Sequence, residues 1–114
     1  MIGRFGEELA RDFLLRAGYS IKKMNLRAGY GEIDIVAEQG ETLVFVEVKT
    51  RTSDKYGEAD EAVDGRKLAN LKKAVERILE EKGLSEREVR LDLVAVDIDR
   101  KRKAARIKHY KDIG

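Results

Sequence analysis

Cysteine, proline and tryptophan are absent from the 114 residues, and histidine occurs once. Without cysteine the chain has neither a disulfide framework nor a thiolate zinc site. The single histidine, His109, rules out a His-rich metal site and confines any Ser-His-Asp triad to that position. Long apolar runs are missing too: the longest, such as Leu43-Val44-Phe45-Val46, are four residues, whereas a membrane span takes about 20. Met1 to Ala17 mixes charges into its apolar positions and has no apolar h-region, so no secretory leader is expected and a cytoplasmic location is. A large excess of one charge is also missing. Lys and Arg number 24 against 22 Asp and Glu, a net +2, so any basic surface must arise locally.

What is abundant is charge of both signs. Charged residues make up 40% of the chain, against about 25% in an ordinary domain. Together with the missing cysteine and scarce methionine, this suits the ion-pair-rich surface of a thermophile protein. The length and the 13.0 kDa mass suit a single domain, residues 1–114. No linker or repeat divides it, and the polar stretch Thr50 to Glu61 reads as a loop.

Hydrophobic periodicity predicts the elements. Stepping about 100° per residue, Ile2, Phe5, Leu9, Ala10, Phe13, Leu14 and Ala17 share one half of a helix over Gly3 to Ala17, with Gly18 as its stop. Tyr19 to Met24, Gly31 to Glu38 and Thr42 to Thr50 read as strands. A second helix spans Ala62 to Lys82, with a stripe of Leu68, Leu71, Val75, Ile78 and Leu79. Arg90 to Asp97 contains LDLVAV, a strand of the kind buried on both faces. Arg106 to Tyr110 follows the basic turn Arg100 to Lys103 as a last strand. The order αβββαββ predicts an α/β fold, a mixed sheet flanked by helices.

The middle strand pair, GEIDIVAEQGETLVFVEVKTR from Gly31 to Arg51, concentrates the chemistry. If Gly40 and Glu41 are the central residues of a type II′ turn, Gln39 faces Thr42 and Asp34 lies opposite Glu47. With Gln39-Gly40 in the turn, Asp34 instead lies opposite Phe45, one diagonal from Glu47. Period-two alternation keeps Asp34 and Glu47 on one face either way. Ile33, Ile35, Ala37, Val44, Val46 and Val48 then form an apolar face for helices. The opposite face gathers Glu32, Asp34, Glu47 and Lys49 at the end far from the turn. Opposed carboxylates repel, so a partly buried pair calls for a cation, a raised pKa or an intervening lysine. A hard divalent ion with oxygen ligands is the economical solution. Lys49, two residues beyond Glu47, is placed to reach a water or phosphate beside it.

The pattern Gly6-Glu7, Gly18-Tyr19, Asn25-x-Arg27, Gly31-Glu32-Ile33-Asp34, Phe45-Val46-Glu47-Val48-Lys49-Thr50-Arg51, Lys67 and Arg90-x-Asp92 resembles the YraN family of small bacterial proteins over nearly the whole chain. That family is similar to archaeal Holliday-junction resolvases, within the PD-(D/E)xK nucleases. The resemblance implies a restriction-endonuclease-like fold and metal-dependent phosphodiester hydrolysis by a structure-selective DNA endonuclease. Asp34 takes the motif aspartate's place, Glu47 and Lys49 the E-x-K, and Glu7 the first-helix glutamate. Ile33 stands where the superfamily's label has proline. Glu7 also lies at the rim of the first helix's apolar stripe, whereas Glu8 points to its polar side.

On this reading Asp34, Glu47 and the Val48 carbonyl hold Mg²⁺ or Mn²⁺, Glu7 completes the shell or serves a second ion, and Lys49 orients the attacking water. Lys67, a lysine inside an apolar stripe, must snorkel or find a carboxylate, and points towards the cluster or a phosphate. Arg27 and Arg51 suit bidentate phosphate contacts; Lys22, Lys23, Lys55 and the Arg100 to Lys103 turn are further nucleic-acid contacts. Tyr30 and Tyr56 are placed to stack on unpaired bases. Cutting two strands implies a homodimer with two sites. Arg90 and Asp92 are expected to form a structural pair, and His109 to lie on the surface without a chemical role. Two other readings use the same residues: a nucleic-acid-binding module that does not turn over, and an acidic face that binds a protein.

Overall fold

Gly18, at φ +94°, ends the first helix, because a left-handed residue closes a helix C-terminus with little strain only when it lacks a Cβ. The helix it ends, α1 (Ile2–Arg16), is followed by β1 (Ser20–Ala28), β2 (Gly31–Gln39), β3 (Thr42–Ser53), α2 (Gly65–Glu81), β4 (Val89–Asp99) and β5 (Ala104–Tyr110). The computed structural model describes residues 2–29, 31–53 and 65–114. Lys55, Tyr30, Tyr56 and the expected start of the second helix before Gly65 lie outside the described residues.

The strands form one five-stranded sheet in sequence order, β1-β2-β3-β4-β5. All neighbours are antiparallel except β3 and β4, which run parallel. Parallel neighbours need a crossover, and α2 lies in it. The expected α/β class and the order αβββαββ are therefore present. β1 runs four residues beyond its expected end at Met24, with a register shift between Ile21 and Lys23.

Both faces of the sheet are covered. Ala10 and Leu14 of α1 pack on Ile35, Ala37, Val44, Val46, Val94, Val96 and Ile98. Leu71, Ala74, Val75, Ile78 and Leu79 of α2 pack on Val36, Leu43, Phe45 and Leu91. The face expected to gather its acids far from the turn thus carries Val36, Leu43 and Phe45 nearer the turn, buried under α2. Phe5, assigned to the stripe of α1, is 47% exposed. β4 is buried from Leu91 to Asp99, as a central strand between two covered faces must be.

The turn has Gly40 at φ +59° with Gln39 level with Thr42. Of the two registers compatible with the sequence, this is the one that sets Asp34 level with Glu47. The regular ladder nevertheless stops one step short, at Ile35 and Val46. A second irregularity lies at the same level. Ile33 joins the α2 core and Ile35 the α1 core, although residues two apart on a regular strand share a face. On β1, Leu26 and Met24 split in the same way around Asn25, whose φ is +53°. The expectation that Ile33 shares the face of Ile35 fails for this reason: alternation breaks at Asn25 and Asp34, in register on adjacent strands.

Candidate functional site

Asp34 occupies the point where β2 leaves β3. The Val48 N–H, beyond the last regular pair, donates to Asp34 Oδ2 at 2.8 Å. A side-chain carboxylate thus accepts a bond that a strand carbonyl would take in an unbroken ladder. This aims the carboxyl along the sheet, towards Glu47, and the two carboxyls come within hydrogen-bonding reach. Burial pushes the Asp34 pKa up to about 7, and the neighbouring Glu47 and Glu7 charges add to the shift. The Val48 bond pulls the other way and is outweighed.

Close helix packing brings the remaining groups in. A Cβ on Gly6 would lie 1.9 Å from Thr50 Oγ1, so α1 approaches β3 as it does only because residue 6 is glycine. Glu7 follows directly, and its carboxylate accepts a 2.8 Å bond from Asn25 Nδ2. Asn25 also donates to Glu32 at 3.3 Å. On the other face, a Cβ on Gly31 would stand 3.1 Å from the Ala74 Cβ, which sets α2 close to the start of β2. From α2, Lys67 reaches Glu47 with Nζ 3.1 Å from Oε2. These elements enclose a cleft of about 530 Å³ whose lining includes Glu7, Glu32, Asp34, Glu47, Val48 and Lys67.

The structure therefore gathers Glu7, Asp34, Glu47, Val48 and Lys67 at one cleft. Lys49 is exposed and does not line it; the lysine that meets Glu47 comes from α2. Arg51 lies near Asp97 at 3.8 Å, tying β3 to β4. Arg27 is exposed, 3.7 Å from Glu32. Lys22 and Lys23 line a different depression, where Lys22 pairs with Glu38 at 3.2 Å. Two contributors had no role assigned from sequence. Asn25 and Gly6 stood in the motif, but the expected strand ended at Met24, so only the observed β1 makes Asn25 a strand-interior asparagine, disfavoured there unless a special backbone angle or a polar partner holds it.

The residues fit a hard divalent cation in a limited sense. The donors are all oxygens, and a cation between Asp34 and Glu47 would relieve the repulsion that a proton otherwise relieves. Mg²⁺ commonly takes one or two carboxylates and keeps several waters. Among the described residues no three His, Cys, Asp or Glu side chains converge into a ready-made cage. Glu7 stands back, tied to Asn25.

A second polar cluster lies beneath α1. Asp92, fully buried, accepts from Arg90 Nε and Nη2 at 2.9 Å each and from the Asp112 N–H at 2.9 Å. His109 Nε2 lies 2.7 Å from Asp92 Oδ2, and Arg90 also donates to the Tyr19 hydroxyl at 2.7 Å. The Arg90–Asp92 pair is structural, as expected. His109 is not a surface residue: its side chain is 8% exposed and its ring meets Phe13 and Tyr19 edge-on. The short strand, with Arg106 and Lys108 alternating with Ile107 and His109, was too weakly patterned to show that burial.

Residues 6–96 match the model of the uncharacterised protein family UPF0102. The chain belongs to that family. UPF0102 proteins from Moorella thermoacetica (44% identical, covering 96% of this chain and 91% of the relative) and Beutenbergia cavernae (45%, covering 99% and 95%) are similar along almost their whole length. The relative from Caldicellulosiruptor bescii is 43% identical, covering 97% and 94%. The YraN-like family suggested by the motifs is thus the one found, and the matched UPF0102 span contains Glu7, Asp34, Glu47, Lys67 and Asp92. Among solved structures, Pyrococcus furiosus SfsA in complex with Ca²⁺ is similar at 18% identity and a TM-score of 0.40, covering 98% of this chain and 62% of SfsA. No helix among the described residues is long and apolar enough to cross a membrane.

Proposed function

We propose that this UPF0102 protein is a single-domain, metal-dependent nuclease that hydrolyses phosphodiester bonds, acting on branched DNA as the resolvases it resembles do. The observation that carries the reading is the Asp34–Glu47 pair, half-buried at the fork of β2 and β3, with Asp34 pushed up to about 7 by burial and by its acidic neighbours. Such a pair is costly in an apo fold, and perturbed carboxyls in a cleft mark functional sites more often than structural ones.

Asp34, Glu47 and the Val48 carbonyl would hold Mg²⁺ or Mn²⁺, which when bound polarises the phosphoryl oxygen and lowers the pKa of its water. Glu7, oriented by Asn25, takes a proton or a hydrogen bond from water on the α1 side of the cleft. Lys49, further along β3 and outside the cleft lining, would orient the attacking water by swinging its long side chain in from the rim when substrate is bound. Lys67, held at the cleft by Glu47, would place its charge beside the phosphoryl oxygens and stabilise the negative charge that builds there. Cleavage of two strands calls for a homodimer that presents two such clefts.

The Lys67–Glu47 pair favours a second reading, in which the cleft binds nucleic acid without turnover, because this ion pair already satisfies Glu47. One experiment separates the two: purified protein with Mn²⁺ against branched, duplex and single-stranded substrates, beside Asp34→Asn and Lys49→Ala. Cutting by the wild type, lost in both variants with binding retained, supports the enzyme. Binding with no cutting of any substrate supports the module.

A further inference from the structure

The cleft around Asp34 carries four acids, Glu7, Glu32, Asp34 and Glu47, against Lys67. A polyanionic strand held at such a surface needs positive charge next to it for its flanking phosphates. A second groove of about 280 Å³ shares Gly31 and Asn70 with the cleft and continues from it between β1, β2 and α2. Its charged residues are Lys73 and Arg77, both exposed. Its floor is backbone and small side chains: Gly29, Gly31, and Ala74 packed against Gly31.

We propose that this groove binds the sugar-phosphate backbone of the strand flanking the scissile bond, with Lys73 and Arg77 as its phosphate contacts and Asn70 at its threshold. The inference rests on the nuclease reading above and extends it to a substrate path. Lys67, Asn70, Lys73 and Arg77 recur at steps of three, three and four, so they form one stripe along α2. At 1.5 Å rise per residue the stripe from Lys67 to Arg77 spans about 15 Å, the axial length of roughly four nucleotides. Arg77 is aimed into the groove. Its Nε lies 3.3 Å from Glu81, while Nη1 lies over Gly29, where an added Cβ would come within 3.2 Å of it. Glycine at 29, with φ +59°, therefore makes room for the guanidinium. The other cationic depression, with Lys22, Lys23 and Arg87, shares no residue with the acidic cleft, and its Glu38 already pairs with Lys22 and Arg87.

The test measures affinity for single-stranded and duplex DNA across a NaCl series without divalent metal. It compares the wild type, Lys73→Ala/Arg77→Ala, and Lys72→Ala/Lys82→Ala, which removes the same charge outside the groove. The groove variant is expected to bind about tenfold or more weakly at low salt, regardless of sequence. Its log–log salt slope falls by about 1.4 to 1.8, the loss of two phosphate contacts, while the Mn²⁺-induced rise in Tm is unchanged. An unchanged slope, or an equal drop in the Lys72/Lys82 control, overturns the proposal even where the wild type cuts. The expected slope change in the groove variant, with a wild type that cuts nothing, supports the groove and refutes the nuclease reading instead.

Discussion

Asp34 and Asp92 are carboxylates of one sheet, both set among aliphatic side chains, and the fold treats them oppositely. Asp92 loses water and gains four partners: two nitrogens of Arg90, the His109 ring and the Asp112 N–H. Burial raises its pKa, but the His109, Arg90 and Asp112 bonds outweigh that and hold it at about 2. The Arg90 guanidinium is raised in turn by its bond to Asp92. Asp34 loses part of its water, gains the Val48 N–H, and faces Glu47 and Glu7. The same desolvation thus yields a satisfied charge in one region and an unsatisfied one in the other. A paired buried carboxylate fastens strands; one kept beside like charges stores free energy that a cation or substrate can release.

The contrast should break most visibly in function. With cleavage of a branched DNA in Mn²⁺ as the readout, Asp34→Asn or Glu47→Gln is expected to lower the rate by about 10² to 10³-fold or more, with melting temperature held or raised because a repulsion is removed. A variant that cuts normally would end the comparison. Asp92→Ala should do the reverse. It leaves the partly buried Arg90 without its carboxylate and His109 and the Asp112 N–H without their acceptor, and should cost about 3 kcal/mol in denaturant unfolding, with the cleavage rate per folded molecule unchanged.

Helix placement gives a smaller effect. Gly6→Ala forces a Cβ into Thr50 and should cost roughly 1–3 kcal/mol. It should also weaken cleavage by displacing Glu7, and Thr50→Gly in the same chain should restore part of both. The pH dependence is expected to be smallest. Because Asp34 is raised from 3.8 to about 7, the folded apo protein binds a proton that the unfolded chain has released in that window. Its contribution to stability is present below pH 4 and is lost as pH rises to 7, by roughly 1–2 kcal/mol after solvent screening. Asp92 runs the other way: its contribution is present above pH 4 and is lost only as pH falls towards 2. Tm measured from pH 3 to 8 in wild type and Asp34→Asn should show a fall between pH 4 and 7 in the wild type alone, and the Mn²⁺-induced rise in Tm should grow as pH passes 7.

Much of the site was legible in local pattern. Period-two alternation and the glycine turn sufficed to bring Asp34 opposite Glu47 or one diagonal from it, and the helical wheel placed Glu7 at the rim of the apolar stripe of α1; the observed register, Gln39 level with Thr42, chose the first. Lys67 was conspicuous as a cation within an apolar stripe, and Glu47 resolves it. Asn25, Ile33 and His109 were not legible. Alternation predicts one face per strand, and the break at Asn25 and Asp34 depends on how two adjacent strands twist together. His109 is buried because Asp92, Phe13 and Tyr19 surround it, and those partners are all distant in the chain.

By itself the sequence determined the order of elements, narrowed the β2–β3 hairpin to two registers and fixed which residues carry charge, because periodicity, turn chemistry and side-chain identity act over a few neighbouring positions. Only the tertiary structure decided which carboxylate is neutralised and which is left beside its like. That depends on desolvation and on partners 14 to 20 residues away, Val48 for Asp34 and His109 and Asp112 for Asp92, and electrostatic free energies in a folded interior follow distance in space rather than along the chain.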